Sequence, residues 1–453
     1  MRELADLIAE LPPDTVVTDP DVVAGYRQDW ARDPDAGTPL AVVRVTSTAD
    51  VQATLRWASR HQVSVVPRGA GSSLSGGSTA VDGGITLSTE RLRTVTIDPV
   101  TRIAVAQPGA LNVEVKAAAA AHGLWYPPDP SSFEMCSIGG NAATNAGGLC
   151  CVKYGVTTDY VLGMEVVLAD GTALRLGGPR LKDVAGLSLT KLFVGSEGLL
   201  GVITELTLRL VPAQPPASTL VAVFPSIETA ADAVLAITSS LRPCMLELMD
   251  RTSINAVDDY TSMGLDRTAE AMLIARSDAP GAAAADEIAQ MERHCQAHGA
   301  SEVFTTSDPE EGEAFAAARR AAFPALEKLG SLLLEDVGVA LPALPTLVQG
   351  IEKIAAENAV TIAVVAHAGD GNTHPLVVYN EQDEDETRRA YVAFGQVMDL
   401  ALELGGTITG EHGVGRLKKA WLPTYLGDDV MALTRRIKDA LDPKGILNPG
   451  AVL

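Results

Sequence analysis

Hydrophobic residues recur along this chain in short runs and helical stripes, punctuated by glycine and proline. Leu40-Ala-Val-Val-Arg-Val-Thr reads as a buried strand, and Thr48 to Ala58 as a helix with a Thr/Ala/Asp start. Val63-Ser-Val-Val is a short strand entering a glycine-rich loop. Ile85-Thr-Leu and Arg102-Ile-Ala-Val-Ala are strand-like and flank a predicted turn at Asp98-Pro-Val-Thr. Leu111 to His122 is helical by propensity. Residues 123–160, rich in Gly, Pro, Ser and Asn, show little periodicity, and such a long irregular stretch in a compact domain is usually functional. Val161 to Leu176 predicts a strand pair turning at Asp170-Gly171. Gly201 to Val211 alternates as a strand and stops at Pro212-Ala-Gln-Pro-Pro, a proline cluster that suits a domain boundary.

Beyond that cluster strands and helices alternate. Leu220-Val-Ala-Val-Phe precedes a helix over 226–240; Cys244-Met-Leu-Glu-Leu-Met and Met272-Leu-Ile-Ala precede a helix near 281–298. The pattern predicts an α+β domain with an antiparallel sheet. From Asp428 the chain ends in a helix followed by Asp442-Pro-Lys-Gly-Ile-Leu-Asn-Pro-Gly. Three segments are expected: 1–212, 213–405 and 406–453.

Composition narrows the classes. A chain of 453 residues with 47% hydrophobic and 20% charged residues suits a globular enzyme with large cores. The net charge of −22 argues against nucleic acid and against an anionic membrane face. It does not exclude an anionic substrate, because one buried Arg can dominate its own cavity. The N-terminal stretch carries acids early and is not expected to be a signal peptide. No apolar run is long enough to span a bilayer. Five scattered cysteines, 136, 150, 151, 244 and 295, fit a cytoplasmic protein, and without Cys-x-x-Cys an internal iron–sulfur cluster is not expected.

Two kinds of motif carry chemistry. The first is glycine-rich. In Pro67-Arg-Gly-Ala-Gly-Ser-Ser-Leu-Ser-Gly-Gly77, successive backbone N–H groups can converge on an anion such as a pyrophosphate; the plain alternative is a flexible turn. The spacing is not that of a nicotinamide fingerprint. Ser137-Ile-Gly-Gly-Asn-Ala-Ala-Thr-Asn-Ala-Gly-Gly148 permits close approach to a planar ligand, with Asn141 and Asn145 offering amides. Leu192 to Thr204 adds a third glycine turn.

The second is histidine-rich. Of seven histidines, three lie in His367-Ala-Gly-Asp-Gly-Asn-Thr-His374 and Gly410-Glu411-His412-Gly413. A two-residue turn at Asp370-Gly371 would pair His367 directly with His374, about 4.5–5.5 Å apart at Cβ, close enough to share one metal. The alternative is a local hydrogen-bond network. Glu411 can supply an oxygen ligand, and His412, on the other side of the extended chain, a base. Three protein ligands leave a position open for catalysis. Mixed nitrogen and oxygen ligation leaves zinc and other divalent ions open.

The order and spacing of these segments resemble the FAD-linked D-2-hydroxyacid dehydrogenases of the vanillyl-alcohol-oxidase-like family, including the flavin subunit of glycolate oxidase and D-lactate dehydrogenases. The resemblance covers essentially the whole chain. It implies a two-subdomain FAD-binding domain, an α+β, ferredoxin-like cap with an antiparallel sheet, and a C-terminal helical return. FAD would be held by Pro67, Arg68, Gly69, Ala70, Gly71, Ser72, Ser73, Gly76 and Gly77 around its pyrophosphate. Ser137, Gly140, Asn141, Thr144, Asn145, Gly147 and Gly148 would form a second contact loop. Pro108 and Gly109, Glu197 and Gly198, Gly201, Val202 and Ile203 would add contacts, as would Asn372, Glu411 and Asn448. No His lies between 62 and 121, so the flavin is expected to be non-covalent.

The resemblance also implies His367, His374 and Glu411 as ligands of a divalent metal, zinc favoured, and His412 as general base for hydride transfer to flavin N5. Arg319, rather than Arg320, falls on the position that binds the substrate carboxylate. Ala340 and Leu341 replace the Pro-Arg with which some relatives continue the segment Glu335–Val339. That departure favours a small monocarboxylate such as D-lactate or glycolate over D-2-hydroxyglutarate. A flavin-binding subunit without chemistry, or a non-redox FAD enzyme on the same fold, are the other readings. Electrons would leave to an electron-transfer flavoprotein, a quinone, a cytochrome, an iron–sulfur protein or oxygen. A homodimer is left open.

Overall fold

The computed structural model describes residues 2–453, which form two compact units. The first comprises 2–147, 156–213 and 411–453; the second comprises 148–155 and 214–410.

The first unit holds two main sheets and a two-stranded ribbon that pairs Leu124–Trp125 with Val211–Pro212. In the smaller, Ala41–Arg44, Ile85–Ser88 and Val65–Arg68 run parallel, with Val16–Val17 antiparallel at one edge. The helix Thr48–His61 makes a crossover between two of these strands. It starts where Ser47 Oγ accepts the Asp50 N–H and the Asp50 side chain accepts the Ser47 N–H, a reciprocal cap. Its apolar stripe, Val51, Leu55, Trp57 and Ala58, is buried in the core with Val43, Ile85 and Leu87. The larger sheet is antiparallel, in the order Val95–Asp98, Ile103–Ala106, Val202–Arg209, Val161–Val167, Ala173–Gly177. The turn at Asp98 therefore joins Val95–Asp98 to Ile103–Ala106. Ile85–Ser88, expected to flank it, belongs to the other sheet. Residues 123–160, expected to be irregular, contain the short helices Ile138–Thr144 and Cys151–Tyr154. The chain's end returns to the smaller sheet: the Val65 N–H donates to Ile446 O at 2.7 Å, and the Asn448 N–H to Val65 O at 2.8 Å.

The second unit is built on one antiparallel sheet. Its order is Glu302–Thr306, Ser218–Phe224, Ala271–Ser277, Met245–Asp250, Thr361–His367, Asn372–Tyr379, Ser331–Leu334, and Val337–Gly338 also pairs with Asn372–Tyr379. Strand alternation gives it two buried faces. On one, Met245, Met249, Ile274, Val365, Leu376 and Val378 pack with Ile254, Val257, Ala316, Ala318, Ala322 and Leu326 from helices over 251–261, 309–320 and 322–327. Buried Asp278 anchors the 148–155 excursion by accepting from Lys153, Tyr154 and, at 2.7 Å, Gln214 Nε2.

The hairpin carrying the two histidines differs from the two-residue turn expected. Strand Thr361–His367 ends at His367, four residues form the turn, and Asn372 begins the next strand. His367 O accepts both the Asp370 and Gly371 N–H groups, and Gly371 sits at φ +84°. His367 therefore opposes Asn372, and His374 opposes Val365. A two-residue offset preserves the side-chain face, where a one-residue slip would have reversed it. The imidazoles remain on one face as diagonal neighbours.

Candidate active site

The first unit gathers glycine-rich segments that are far apart in sequence. Strand Val65–Arg68 delivers the chain into the loop 69–77. Ser137 Oγ accepts the Ala70 N–H at 3.2 Å and caps its own helix by accepting the Gly140 N–H at 3.3 Å. A Cβ on Gly69 would lie 2.2 Å from that oxygen, so the two segments meet only because residue 69 lacks a side chain. Pro108 O accepts the Gly139 N–H at 2.8 Å, adding the segment that holds Gly109. Asn448 Nδ2 donates to Gly77 O at 2.9 Å and to Glu197 O at 2.7 Å, closing the ring of segments from the C-terminus. Gly198 adjoins Pro67, and Gly201 leads into Val202 and Ile203, both buried.

Within this cradle the backbone N–H groups of Gly71, Ser72, Ser73 and Leu74 donate to nothing among the described residues. Gly71 lies at φ +74°, the left-handed conformation that turns successive N–H groups towards one point. Such a run of donors fits the pyrophosphate of a dinucleotide. Arg68 is buried with its guanidinium 5.6 Å from the centre of the Tyr26 ring. Burial pulls its pKa down, opposed by Asp29, Tyr26 and Glu90. Several side chains expected to meet a cofactor also bond to protein. Asn141 Oδ1 accepts from Asn112 Nδ2 at 3.1 Å, Asn145 Oδ1 from the Thr158 N–H at 2.8 Å, and Thr144 Oγ1 donates to Gly140 O at 3.1 Å.

Glu197 is buried and accepts the N–H groups of Val414 and Gly415, both at 2.8 Å. Burial pushes its carboxyl up to about 7, against those two N–H groups and Lys418. Ser75 Oγ donates to His412 O at 3.1 Å. The loop carrying Glu411 and His412 is thus stitched by its backbone to the cradle. Glu411 Oε1 lies 3.6 Å from His412 Nε2.

In the second unit the apolar sheet face gives way at one end to buried polar groups. His367 and His374 stand edge to face with ring centres 5.0 Å apart, each offering a ligand nitrogen within 4.8 Å of the other's. Each has its own carboxylate. The His367 Nδ1–H donates to Glu247 Oε1 at 2.7 Å, and His374 Nδ1 lies 3.7 Å from Asp336 Oδ1. Asp336 Oδ2 accepts from Thr409 Oγ1 at 2.6 Å and the Gly410 N–H at 3.0 Å, fixing the segment that leads into Glu411. Arg319, in the last turn of helix Pro309–Arg320, is 4% exposed, and its Nε contacts Glu247 Oε2 at 2.9 Å. Its Nη2 has no hydrogen-bond partner among the described residues, and neither has buried Asn372 Oδ1. Arg320 pairs with Glu313 at 2.7 Å.

Glu247 and Asp336 were not among the expected site residues. Each is remote in sequence from its histidine, but a lone Glu within Met-Leu-Glu-Leu-Met is a signal, since a charge in a buried strand needs partners.

Both main parts of the chain match known families. Residues 214–452 match the family described as FAD linked oxidases, C-terminal domain, and residues 39–177 match an FAD binding domain. The chain belongs to the FAD-linked oxidases. This FAD-linked oxidase is 40% identical over 415 residues to glycolate oxidase subunit GlcD of Bacillus subtilis (strain 168), covering 91% of this chain and 88% of that protein. It is 33% identical over 424 residues to D-lactate dehydrogenase of Archaeoglobus fulgidus, covering 93% of each. Among solved structures, p-cresol methylhydroxylase with substrate bound aligns with a TM-score of 0.84 at 17% identity, covering 100% of this chain and 96% of that one. The 4-ethylphenol oxidase of Gulosibacter chungangensis aligns at 0.82 with 20% identity, covering 100% and 97%. The fold of this oxidase is therefore of the vanillyl-alcohol-oxidase type, and it is an oxidoreductase of the glycolate oxidase and D-lactate dehydrogenase kind. No helix among the described residues is long and apolar enough to cross a membrane.

Proposed function

We propose that this oxidase converts a small D-2-hydroxy acid, D-lactate or glycolate in preference to D-2-hydroxyglutarate, into the 2-oxo acid. The observation that carries the reading is Arg319. It is a buried guanidinium at the end of the sheet that bears the imidazole pair, and it keeps a donor nitrogen with no partner among the described residues. An unsatisfied buried donor is costly, and a carboxylate is the ligand that matches it. Arg320 is already engaged by Glu313. Leu341 lies against the histidine hairpin at Gly371, where some relatives carry a basic residue, so a second substrate carboxylate would meet apolar carbon.

The donor set fits a divalent ion: two imidazoles on one sheet face, backed by carboxylates, with Glu411 next in the chain after the Asp336-bound Gly410. His367, His374 and Glu411 would hold it, zinc suiting the mixed ligands. Bound FAD supplies the two-electron acceptor for the Cα hydride, and a bound cation supplies Lewis acidity at the substrate hydroxyl. Arg319 orients the substrate by its carboxylate. His412 accepts the hydroxyl proton, since imidazole is a base near neutral pH. The cradle holds FAD non-covalently through its backbone donors, and a separate acceptor takes the electrons onward.

Anaerobic mixing with D-lactate, glycolate and D-2-hydroxyglutarate, with and without a chelator, tests the proposal. Flavin bleaching is expected with one of the first two, and slower bleaching after chelation. Absence of bleaching with all three would overturn it.

A further inference from the structure

Glu247 stands in strand Met245–Asp250 between Met245 and Met249, on the apolar face, and is fully buried. The register that pairs Leu248 with Ala366 brings it opposite His367. Its two oxygens serve two different partners: Oε1 accepts the His367 Nδ1–H at 2.7 Å, and Oε2 contacts Arg319 Nε at 2.9 Å. A carboxylate here is tolerable only with both partners, because a single buried charge is strongly penalised.

Resting on the metal and carboxylate reading above, we propose that Glu247 is a positioning residue that sets two affinities in opposite directions. Towards His367 it fixes the tautomer with the proton on Nδ1, so that Nε2 carries the lone pair, and it places a negative charge behind a cation ligand. Both strengthen cation binding. Towards Arg319 it is a competing anion. It offsets part of the guanidinium charge, so an incoming carboxylate binds the Nη end more weakly than it would bind an uncompensated arginine. Loose binding of the carboxylate favours release of the 2-oxo acid, which carries the same anchor as the substrate. Asp336 provides an internal comparison. It stands behind His374, while its other oxygen bonds Thr409 and Gly410.

The test uses metal-stripped holoenzyme in two titrations: zinc ion alone, by competition with a chromophoric chelator, and pyruvate alone, by flavin absorbance. Glu247→Gln is expected to weaken zinc about 10–100-fold and to tighten pyruvate several-fold. Asp336→Asn is expected to weaken zinc and leave pyruvate within two-fold. A general loss of structure would weaken both ligands together, so opposite signs separate positioning from damage. Zinc affinity unchanged in Glu247→Gln, or both affinities falling, overturns the inference. Wild-type protein that binds no zinc overturns the metal reading as well, which distinguishes the two failures. Should Glu247→Gln not fold, Glu247→Asp keeps the charge but lengthens both contacts. It is expected to move both constants the same ways by smaller factors, and unchanged constants there overturn the inference equally.

Discussion

The glycine cradle of the first unit and the sheet end of the second use their polar groups in opposite ways. In the cradle, side chains serve the backbone. Ser137 and Glu197 accept main-chain N–H groups, Asn448 donates to carbonyls, and what is left for a ligand is the N–H run from Gly71 to Leu74. At the sheet end, the ladder satisfies the backbone, and the side chains are left to one another: Glu247 with His367 and Arg319, Asp336 with His374. The cradle is therefore damaged by adding atoms, the sheet end by removing them.

The largest effect is expected at the sheet end. Arg319→Met keeps the length and apolar stem but deletes the cation. It removes the carboxylate anchor and leaves Glu247 with His367 alone. Losing one member of a buried charge pair costs about 2–5 kcal/mol, so kcat/KM for D-lactate should fall on the order of 100- to 1,000-fold. Steady-state kinetics with an artificial acceptor checks this. Arg320→Met, which removes an ion pair with Glu313, should change kcat/KM less than about three-fold; equal losses in the two variants would contradict the assignment.

Glu197 belongs to the cradle and tests it through pH. Its carboxyl lies at about 7 in the folded chain, raised from 4.5. Between those values the folded state binds more protons than the unfolded, so the stability this group contributes is present below about pH 4.5 and lost as pH rises through 7. Glu197→Gln cannot ionise. Wild type should therefore lose on the order of 3 kcal/mol relative to the Gln variant across that window. Thermal unfolding of both proteins at several pH values measures it. A wild type that gains on the variant as pH rises would show that the Val414 and Gly415 N–H groups outweigh burial.

The same contrast explains which parts were legible in sequence. The cradle announces itself locally, since runs of Gly, Ser and Asn are visible without knowing what they pack against. The sheet end depends on contacts between distant segments. Arg319 and Arg320 are indistinguishable as neighbours on a helix, until the fold buries one and pairs the other with Glu313. Glu247 is 120 residues from His367, so only the sheet register joins them. The hairpin misled in a specific way. Asp370-Gly371 is a strong two-residue turn signal, but His367 O captures both N–H groups and Asp370 Oδ1 accepts the Asn372 N–H, which closes a four-residue turn. Strand Val95–Asp98 escaped because it is short and none of its residues is fully buried, leaving no apolar run.

The smallest effect sits where two cradle segments touch. Ser137→Ala removes the oxygen that accepts from Ala70 and Gly140, and loss of such a cap costs about 1 kcal/mol. Gly69→Ala adds a methyl 2.2 Å from that same oxygen, and overpacking of this kind costs about 1–3 kcal/mol. The next atoms that methyl would meet, Ser137 Cβ at 3.4 Å and Gly140 N at 3.7 Å, are at ordinary contact distance. In the double variant the obstructing oxygen is gone, so the methyl occupies the space the hydroxyl left. The two changes should be non-additive, the double costing less than the sum by about 1 kcal/mol or more. Chemical denaturation of the four proteins, with FAD affinity measured alongside, reads this coupling. Additive costs would mean that residue 69 is glycine for some reason other than the approach of Ser137, and the close meeting of the two loops would lose its explanation.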